Sequence, residues 1–340
     1  MRICARCVLP ETFPGIRFDD AGVCNHCCSC HSETTASKED AARLKFENLA
    51  ESIRGKSGYH CLLAYSGGKD STYTLWLLRE HYKLRVLAVT FDNGFVSPGA
   101  FSNIRKMVEA VNADHILVKP RFDVLKRIFA SVSADSPFPM KALERASSIC
   151  NACMGLVKSI VIRIAVEQQI PLTAYGWSPG QAPPAASFFR LNASMVRQME
   201  EARVAPLRAI ASEELSPYLL NEKHYEQGEF PYSVSPLAFH EYDEQRIIDH
   251  VKALGWQPPE DTDGNSSNCL LNSFANQLHV ARYGFHPYAF EVAGLVRQGV
   301  MGREDGLGKL ANTGTEKVVS YVAARLGLTP PKPELHEQPI

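Results

Sequence analysis

Short apolar runs alternate with longer amphipathic runs between residues 60 and 175, and this alternation constrains the fold more than any other feature. Uninterrupted apolar runs are typical of strands buried on both faces, as in parallel sheets. Runs with a helical period between them predict helices on both sides of the sheet. We therefore predict an α/β fold with a doubly wound, Rossmann-like parallel sheet that binds ligands at the carboxyl ends of its strands. The predicted strands cover residues 60–65, 85–91, 115–118 and 172–175, and the predicted helices cover 72–80, 103–111 and 156–168.

The rest of the chain is predicted to be mainly helical. The expected segments cover residues 38–53, 193–201, 244–254, 288–297 and 315–326. A break at 55–58 and a proline-rich stretch beyond Gly180 mark changes of organisation. We predict a cysteine-rich unit at 1–35, a helical linker at 36–58, the alternating unit at 59–210 and a C-terminal region at 211–340.

The composition is that of a folded protein without a strongly charged surface. The 340 residues include 36 Lys and Arg against 37 Asp and Glu, a net charge of −1, and 45% are hydrophobic. This balance favours a small-molecule substrate over tRNA without excluding tRNA. Since the chain starts without an apolar signal core and the uncharged run 171–189 contains four prolines, we expect a cytoplasmic protein with no membrane partner. Its ten cysteines should then be reduced thiols, for which paired spacing indicates metal binding.

Residues 66–71, with the sequence Ser-Gly-Gly-Lys-Asp-Ser, connect a predicted strand to a predicted helix. Two glycines allow a tight turn whose backbone N–H groups approach an anion, and the N-terminus of the following helix adds positive charge. The spacing differs from that of the nucleoside-triphosphate loop and of the dinucleotide fingerprint. The segment therefore predicts a phosphate-binding loop of another kind, with a plain glycine turn as the alternative.

This hexapeptide resembles the signature of the PP-loop ATPases, the adenine nucleotide alpha-hydrolase-like superfamily. The resemblance implies an enzyme that attaches AMP from ATP to a substrate oxygen, with release of pyrophosphate, so that a nitrogen or sulfur nucleophile can replace that oxygen. It implies that Lys69 neutralises charge in the transition state and that Asp70 helps to hold Mg²⁺. The residues implied to bind ATP are Ser66, Gly67, Gly68, Lys69, Asp70 and Ser71 in the loop, with Asp92 and Asn93 near the ribose or adenine.

Four cysteines in two pairs lie near the start of the chain. Cys4 and Cys7 form one Cys-x2-Cys pair, and Cys24 and Cys27 form the second. Four thiolates in two such knuckles match the ligand number and spacing of a closed, structural zinc ribbon. Unpaired reactive thiols are the alternative, and the fourth ligand stays open. The candidates for that ligand are Cys27, Cys28, Cys30, His26 and His31.

The first third of the chain also resembles the N-acetyl sugar amidotransferases of bacterial polysaccharide assembly. The resemblance lies in residues 4–12, 15–24, 66–73 and 89–92, and it fades afterwards. It implies an enzyme that uses ammonia from a glutaminase partner to convert a sugar N-acetyl group into an acetamidino group.

Cys150 and Cys153 open a long predicted helix, and Cys269 supplies a distant third thiol. This arrangement resembles the tRNA thiolation enzymes of the PP-loop superfamily, and it implies three cysteine ligands to a [4Fe-4S] cluster whose open iron binds hydrosulfide as the nucleophile. A helix start is expected to lower the pKa of both thiols there. A second zinc site, a persulfide relay and buried structural thiols stay open as alternatives, because spacing alone does not separate them. Cys61, on an apolar strand, is assigned to the core.

Three weaker signals remain. Residues 261–265 place glycine too early for a calcium loop, so we reject that interpretation. Residues 176–181 follow a predicted strand, so their backbone could face nucleotide or substrate at the carboxyl edge of the sheet. A plain turn is the alternative. Four polar residues near the C-terminus are better explained as solvated surface or helix caps than as a grip on an anionic substrate. These are Arg297, Arg303, His279 and His286.

Together these features predict an ATP pyrophosphatase that adenylates a carbonyl oxygen and replaces it with sulfur delivered by the cluster. They make residues 1–35 a zinc ribbon, 59–210 the PP-loop ATP-binding domain, and 211–340 the region that completes the cluster and binds substrate. The cluster must then lie near the nucleotide, because the gain in rate comes from positioning. The expected catalytic residues are Lys69, Asp70, Cys150, Cys153 and Cys269.

Two other functions stay open. Ammonia chemistry of the amidotransferase type would need a glutaminase partner in place of a sulfide donor. The other is a non-catalytic module that combines a zinc ribbon with nucleotide binding and recruits tRNA or a protein. The intact loop argues against this function. A homodimer is compatible with each of them.

Overall fold

The computed structural model describes residues 1–29 and 35–331. Its strands are β1 (Cys61–Ala64), β2 (Val86–Phe91), β3 (Asp114–Val118), β4 (Leu172–Tyr175), β5 (Phe188–Arg190) and β6 (Tyr232–Val234). They form one six-stranded sheet in the order β3-β2-β1-β4-β6-β5, in which β5 runs antiparallel to β6 and the other neighbouring pairs are parallel. The predicted α/β fold is confirmed.

Helices surround this sheet. The early ones in the described residues are α1 (Asn25–Cys28), α2 (Thr35–Arg54), α3 (Lys69–Trp76), α4 (Pro98–Ala110), α5 (Phe122–Ala134), α6 (Met140–Leu143), α7 (Ser148–Glu167) and α8 (Ala193–Arg203). The later ones are α9 (Ala205–Ala211), α10 (Glu222–Gln227), α11 (Glu244–Ala253), α12 (Leu271–Tyr283), α13 (Ala289–Arg297), α14 (Arg303–Ala311) and α15 (Glu316–Leu326). A π-helical turn, Leu77–His81, continues α3.

Alternate residues of β1 face opposite sides of the sheet, as strand geometry requires. Cys61 and Leu63 pack in a cluster with Leu75 of α3. Leu62, between them, packs on the other side with Val161 of α7. Helices therefore bury both faces of the central strand, and Cys61 is the core residue that the sequence predicts.

Helix α7 is apolar along most of its length. By length and composition alone it could span a membrane, but 56% of its most apolar window is buried inside the protein. It packs against β1 and β4, as the core helix of a soluble protein does. Its N-cap is Ser147, whose side chain accepts the backbone N–H of Cys150 at 3.1 Å.

Most predicted elements are present with shifted ends. Helix α7 begins at Ser148, ahead of the 156 that the apolar pattern predicts but in agreement with the prediction that Cys150 and Cys153 open it. Helix α3 begins at Lys69, directly after the glycines of the loop. Strands β5 and β6 were not predicted, because three residues are too few to show a period of two. Strand β6 also joins the sheet from beyond residue 210, in the region expected to be mainly helical. The helices that the sequence did not predict are α1, α5, α6, α9, α10, α12 and α14.

The N-terminal segment packs against the C-terminal helices. Its cysteines and Phe13 share one apolar cluster with Phe285 and with the buried face of α13. Arg303, at the start of α14, donates to the carbonyl oxygens of Cys4 and Cys7 at 3.1 and 3.2 Å. The expectation that Arg303 is solvated surface is therefore wrong, since it fastens the N-terminal segment to α14.

Candidate functional site

The loop at residues 66–71 lies between the carboxyl end of β1 and the N-terminus of α3. Gly67 has a φ of +77°, and a Cβ there would lie 2.6 Å from Cγ1 of Ile104 and 2.9 Å from the carbonyl oxygen of Ala100. Both the left-handed conformation and the lack of space require glycine. The order of the sheet reverses at β1, so the loop occupies the position where open α/β sheets bind ligands.

Contacts from distant segments hold the loop in place. Trp256 donates its indole N–H to the carbonyl oxygen of Gly67 at 2.9 Å. The hydroxyls of Ser66 and Ser71 lie 3.0 Å apart. A Cβ on Gly176 would lie 2.6 Å from the Cα of Ser71, so the segment after β4 passes directly beside the loop. The turn at 176–181 therefore borders the phosphate loop.

The charged residues beside the loop form one connected group. The Lys69 ammonium donates to Asp70 Oδ2 at 2.6 Å and lies 3.3 Å from Glu244, which also accepts from Lys309 at 2.7 Å. Tyr242 donates to the second carboxylate oxygen of Asp70 at 3.1 Å. Burial disfavours the ammonium, but Asp70, Tyr242 and Glu244 together more than compensate and hold the pKa of Lys69 well above its usual value. Lys69 is thus a fixed positive charge at the mouth of the loop.

Glu291 of α13 borders the same group. Its carboxylate accepts a hydrogen bond from the Ser178 hydroxyl at 2.9 Å. Burial, opposed by that hydrogen bond and reinforced by the charge of Asp70, raises the pKa of Glu291 to about 7. A carboxyl group with this pKa can donate or accept a proton near neutral pH.

Asp92 and Asn93 leave the carboxyl end of β2 and are both buried. Asp92 accepts from the Lys119 ammonium at 2.9 Å. The side chain of Asn93 is directed at thiols: its Nδ2 lies 3.6 Å from Cys153 Sγ and 3.5 Å from Cys269 Sγ, within donating distance of both. The orientation of this amide is fixed, because its Oδ1 accepts the backbone N–H of Phe95 at 2.9 Å. The amide nitrogen of Asn93 therefore contacts two cysteines, whereas the sequence suggested a place near ribose or adenine.

Cys150, Cys153 and Cys269 converge around two carboxamides. Asn93 contacts the last two, and the Cys150 thiol lies 3.8 Å from Oδ1 of Asn272 on α12. Cys269 reaches this place because its backbone pairs with Val96, just after β2. The structure brings together three thiols that are far apart in sequence, next to the strand that neighbours the phosphate loop.

The expectation that a helix start lowers the pKa of Cys150 and Cys153 is wrong. Burial raises the pKa of Cys150 to about 12 and also raises that of Cys153 and of Cys269. The capping hydroxyl of Ser147 lowers the pKa of Cys150, but by less than burial raises it. Buried thiolates need a neutralising cation, so this pocket suits either protonated thiols or a bound metal.

The N-terminal cysteines form a tighter group. The Sγ atoms of Cys4, Cys7, Cys24 and Cys27 all lie within 4.8 Å of one another, with Cys4 to Cys27 at 3.9 Å and Cys7 to Cys24 at 3.7 Å. Sulfur atoms bound at about 2.3 Å to one tetrahedral zinc ion lie about 3.8 Å apart. The four thiols therefore already have the spacing of a single-ion site.

The other candidates for the fourth ligand are not in this group. Cys28 is exposed, and the ring of His26 stacks edge-on with Phe13 and Phe290. Cys30 and His31 lie outside the described residues. The geometry thus favours Cys27.

Several residues beside these sites were not predicted to act there. Tyr242 and Glu244 contact the charged residues of the loop, and Ser267 contacts its backbone. Asp263, in the rejected calcium segment, accepts from Asn272 at 2.8 Å and so belongs to the support of the three thiols. These residues come from loops and helix ends far along the chain, and no local pattern marks them.

Two histidines and one arginine also differ from the prediction of solvated surface. His279 and His286 are buried, and burial lowers the pKa of each, to about 3 and about 4. Arg297 lies 3.9 Å from the Cys7 thiol. Arg297 therefore contacts the N-terminal segment, whereas the rings of the two histidines pack on aromatic residues of the C-terminal region, His279 on Phe285 and His286 on Tyr288.

The fold and these residues define an α/β protein with a glycine-containing loop beside a three-thiol pocket, and with a separate group of four thiols that could hold a metal ion. Its sequence matches no protein-family model. It is 25% identical over 283 residues to an uncharacterised protein of Methanocaldococcus jannaschii, which covers 83% of each chain.

Two solved structures are similar to this one. The U34-tRNA thiolase NcsA from Methanococcus maripaludis, with its [4Fe-4S] cluster, has a TM-score of 0.37 and 15% identity over 91% of this chain and 89% of that chain. The NH3-dependent NAD synthetase from Campylobacter jejuni has a TM-score of 0.32 and 12% identity over 55% of this chain and 81% of that chain. Both belong to the PP-loop ATPase superfamily, which the sequence motif resembles. At these scores and identities the likenesses carry no inference about substrate or reaction.

Proposed function

We propose that this protein is an ATP-dependent sulfurtransferase that adenylates a carbonyl oxygen, releases pyrophosphate and replaces the oxygen with sulfur. The observation that carries the proposal is the convergence of the phosphate loop and the three thiols at one edge of the sheet. Asn93, at the end of β2, contacts Cys153 and Cys269, and β2 is the direct neighbour of the strand that leads into the loop. An adenylated substrate and a sulfur carrier could therefore meet without a large movement.

In this proposal, the backbone N–H groups of the loop and of the first turn of α3 hold the phosphates of ATP. Lys69 is already charged and buried beside the loop, and it would stabilise the charge that develops on the departing pyrophosphate. Asp70 would hold Mg²⁺ once the ammonium of Lys69 turns from its carboxylate to the phosphates. Tyr242 would keep that carboxylate oriented through its hydrogen bond.

The three thiols fit a [4Fe-4S] cluster in number and environment. Three cysteines would leave one iron without a protein ligand, and the thiols are contacted by the carboxamides of Asn93 and Asn272. A bound cluster would supply the open iron that holds hydrosulfide. Asn93 would orient the ligands Cys153 and Cys269. Asn272 would contact the third ligand, Cys150. The cations of the cluster would offset the cost of burying the thiolates.

We assign zinc to the four N-terminal thiols on their spacing and burial, and we assign it a structural role because all four ligands come from the protein. The substrate would be a small molecule or tRNA, and a sulfide donor is the partner that the reaction requires. A cytoplasmic location and a homodimer remain expectations.

The alternative is an amidotransferase that uses ammonia, which the resemblance of the N-terminal third implies. It shares the loop chemistry and the zinc ribbon with the first proposal. It differs in giving no chemical role to Cys150, Cys153 and Cys269, so metal content separates the two.

The test is anaerobic purification of the wild type, Cys150→Ala and the control Cys28→Ala, with analysis of iron, zinc and acid-labile sulfide. We expect about four irons with matching sulfide in the wild type and the control, and their loss in Cys150→Ala while zinc remains. Cys28 is exposed and lies outside both thiol groups, so its loss should change neither metal. Zinc without iron in all three proteins would contradict sulfur transfer and favour ammonia.

A further inference from the structure

The short segment 266–269 lies against the phosphate loop at one end and against the three-thiol pocket at the other. The hydroxyl oxygen of Ser267 accepts the backbone N–H of Lys69 at 3.2 Å. Two residues later, the thiol of Cys269 lies 3.5 Å from the amide of Asn93. Two extended residues span at most about 7 Å, so the Cα atoms of Ser267 and Cys269 can be no farther apart than this. A phosphate bound to Ser267 would therefore lie close to the thiol of Cys269.

Ser267 lies where a phosphate ligand would be useful. Lys69 is the first residue of α3, so its N–H is one of the free groups that make a helix N-terminus attractive to anions. A Cβ on Gly68 would lie 3.0 Å from the hydroxyl oxygen of Ser267, which places Ser267 directly over the second glycine of the loop. No sequence pattern near residue 66 indicates this contact.

The hydroxyl of Ser267 has a proton to offer. Within the described part of the chain, its only hydrogen bond is the one that it accepts from Lys69. A serine hydroxyl can accept two hydrogen bonds and donate one, so it can keep the Lys69 contact and still donate to a phosphate oxygen. Hydrogen bonds to a charged acceptor of this kind are the stronger ones.

The remaining contacts of the segment lead to β2. The carbonyl oxygen of Asn268 accepts the backbone N–H of Ser97 at 2.9 Å, and Leu270 donates to the carbonyl oxygen of Phe95 at 2.9 Å. Cys269 lies between these two anchors. The backbone on both sides of Cys269 is therefore hydrogen-bonded to residues just after β2. A shift of Ser267 toward a phosphate would move Cys269 through this short stretch of backbone.

We infer that Ser267 is a further phosphate ligand of the nucleotide site, and that through segment 266–269 phosphate binding changes the accessibility of the Cys269 thiol. The inference rests on the proposed ATP site and requires no sulfur transfer. It joins the two sites by four residues of the chain.

The first test compares the binding of ATP and inorganic pyrophosphate to the wild type, Ser267→Ala and Ser266→Ala by titration calorimetry on the full-length protein. Losing a hydrogen bond to a charged group should weaken both ligands roughly 10-fold in Ser267→Ala. Ser266 is the matched control, because its hydroxyl donates to Asn268 at 3.3 Å and does not contact the loop. Equal affinities of wild type and Ser267→Ala would overturn the inference.

The second test measures alkylation of Cys269 by iodoacetamide on the iron-free, full-length protein, with peptide mass spectrometry. We expect saturating pyrophosphate to slow the alkylation of Cys269 several-fold in the wild type, and to have no such effect in Ser267→Ala. The exposed Cys28 is the internal reference and should react at one rate throughout. Protection that is absent in the wild type, or equal in both proteins, would overturn the coupling.

The two proposals fail differently. A wild-type protein that binds neither ATP nor pyrophosphate contradicts the proposed function and this inference together. A wild-type protein that binds both, with a Ser267→Ala variant that binds them equally well, leaves the ATP site standing and removes only the role of Ser267.

Discussion

The protein holds two groups of cysteines that differ in almost every respect except the residue type. In the N-terminal group, four thiols lie within 4.8 Å of one another and pack on the apolar face of α13. In the group formed by Cys150, Cys153 and Cys269, the thiols face the carboxamides of Asn93 and Asn272. Among the described residues, the three thiols of the second group are not gathered as tightly as the four of the first.

The difference shows how surroundings assign a role to a thiol. The first group supplies every ligand that a tetrahedral ion needs, so an ion bound there has no open position for chemistry. The second supplies three ligands and lies beside a phosphate loop, so a cluster bound there keeps one iron open. The closed group suits a structural role, and the incomplete group suits a reaction.

The largest expected effect comes from opening the closed site. Cys24→Ser removes one of the four ligands that a structural zinc needs, so the zinc should be lost. Structural zinc contributes on the order of 10 kcal/mol to the folding of such segments. The segment that packs on α13 should then unfold locally. Metal analysis and proteolysis of the first 29 residues check this outcome.

The iron content is the control for that variant. Since the two thiol groups have no cysteine in common, Cys24→Ser should retain its iron and its acid-labile sulfide. Loss of both metals together would contradict the division into a structural site and a reactive one.

The next effect concerns the phosphate loop at residues 66–71, which lies near Cys150, Cys153 and Cys269 and not near the N-terminal cysteines. Gly67→Ala puts a Cβ into a residue with φ +77° and into contact with Ile104 and the backbone of Ala100. We expect a loss of about 3 kcal/mol in the free energy of unfolding and no measurable ATP binding. Denaturant unfolding and calorimetry measure the two effects.

Gly58 provides a matched control for this variant. It has the same φ of +77°, but nothing lies within 4 Å of a Cβ built there. Gly58→Ala should therefore cost only the left-handed strain, about 1 kcal/mol, and should bind ATP normally. Equal losses in the two variants would show that space around Gly67 is not what the loop requires.

A smaller effect tests the support of the incomplete site. Asn93→Leu removes both N–H donors that contact Cys153 and Cys269 while filling a similar volume. Loss of such an outer partner should weaken iron retention about 10-fold, which the rate of iron transfer to a chelator measures. Zinc in the same molecules should not change.

Asn93 also has a competing role from the sequence, in which it lies near ribose or adenine. If Asn93→Leu weakens ATP binding and leaves iron retention unchanged, that role is correct and the hydrogen bonds to sulfur are incidental. The opposite result assigns Asn93 to the thiols.

The sequence predicts the fold and the local parts of the site, because each is encoded in a short stretch. Residues 66–71 carry the whole loop, and the two Cys-x2-Cys pairs carry the closed metal site. The sequence does not predict contacts made across the chain. Ser267 meets Lys69 because the neighbouring Cys269 pairs with Val96, just after β2. Asn272 meets Cys150 because α12 packs on α7, and a single sequence contains no signal for such pairs.

The pKa prediction failed for a related reason. A cap and a helix N-terminus are visible in the sequence around Ser147, and both favour thiolates there. Burial of Cys150 against residues of α12 is not visible in the sequence, and it outweighs the local effects. Local chemistry predicts the direction of a shift only where the surroundings are exposed.

The smallest effect concerns Glu291 of α13. The four N-terminal cysteines pack on this helix, and the carboxylate of Glu291 borders the charged residues of the phosphate loop. Its pKa of about 7, against an ordinary value of 4.5, means that between these pH values the folded protein keeps a proton that the unfolded chain releases. The stability contributed by that proton is complete below pH 4.5 and is lost as the pH rises through 7. Glu291→Gln stays neutral, so its free energy of unfolding relative to the wild type should rise by on the order of 2 kcal/mol between pH 5 and pH 8.

Denaturant unfolding at four pH values measures this change, with the exposed Glu304→Gln as the control that should show no trend. Asp70, Lys69 and Lys309 also face Glu291, and they face the glutamine of the variant in the same way, so the difference between the two proteins isolates the carboxyl group of Glu291. A flat difference for Glu291→Gln would mean that its carboxylate ionises as it would in water. Glu291 would then be ionised beside the loop at neutral pH and could not donate a proton there.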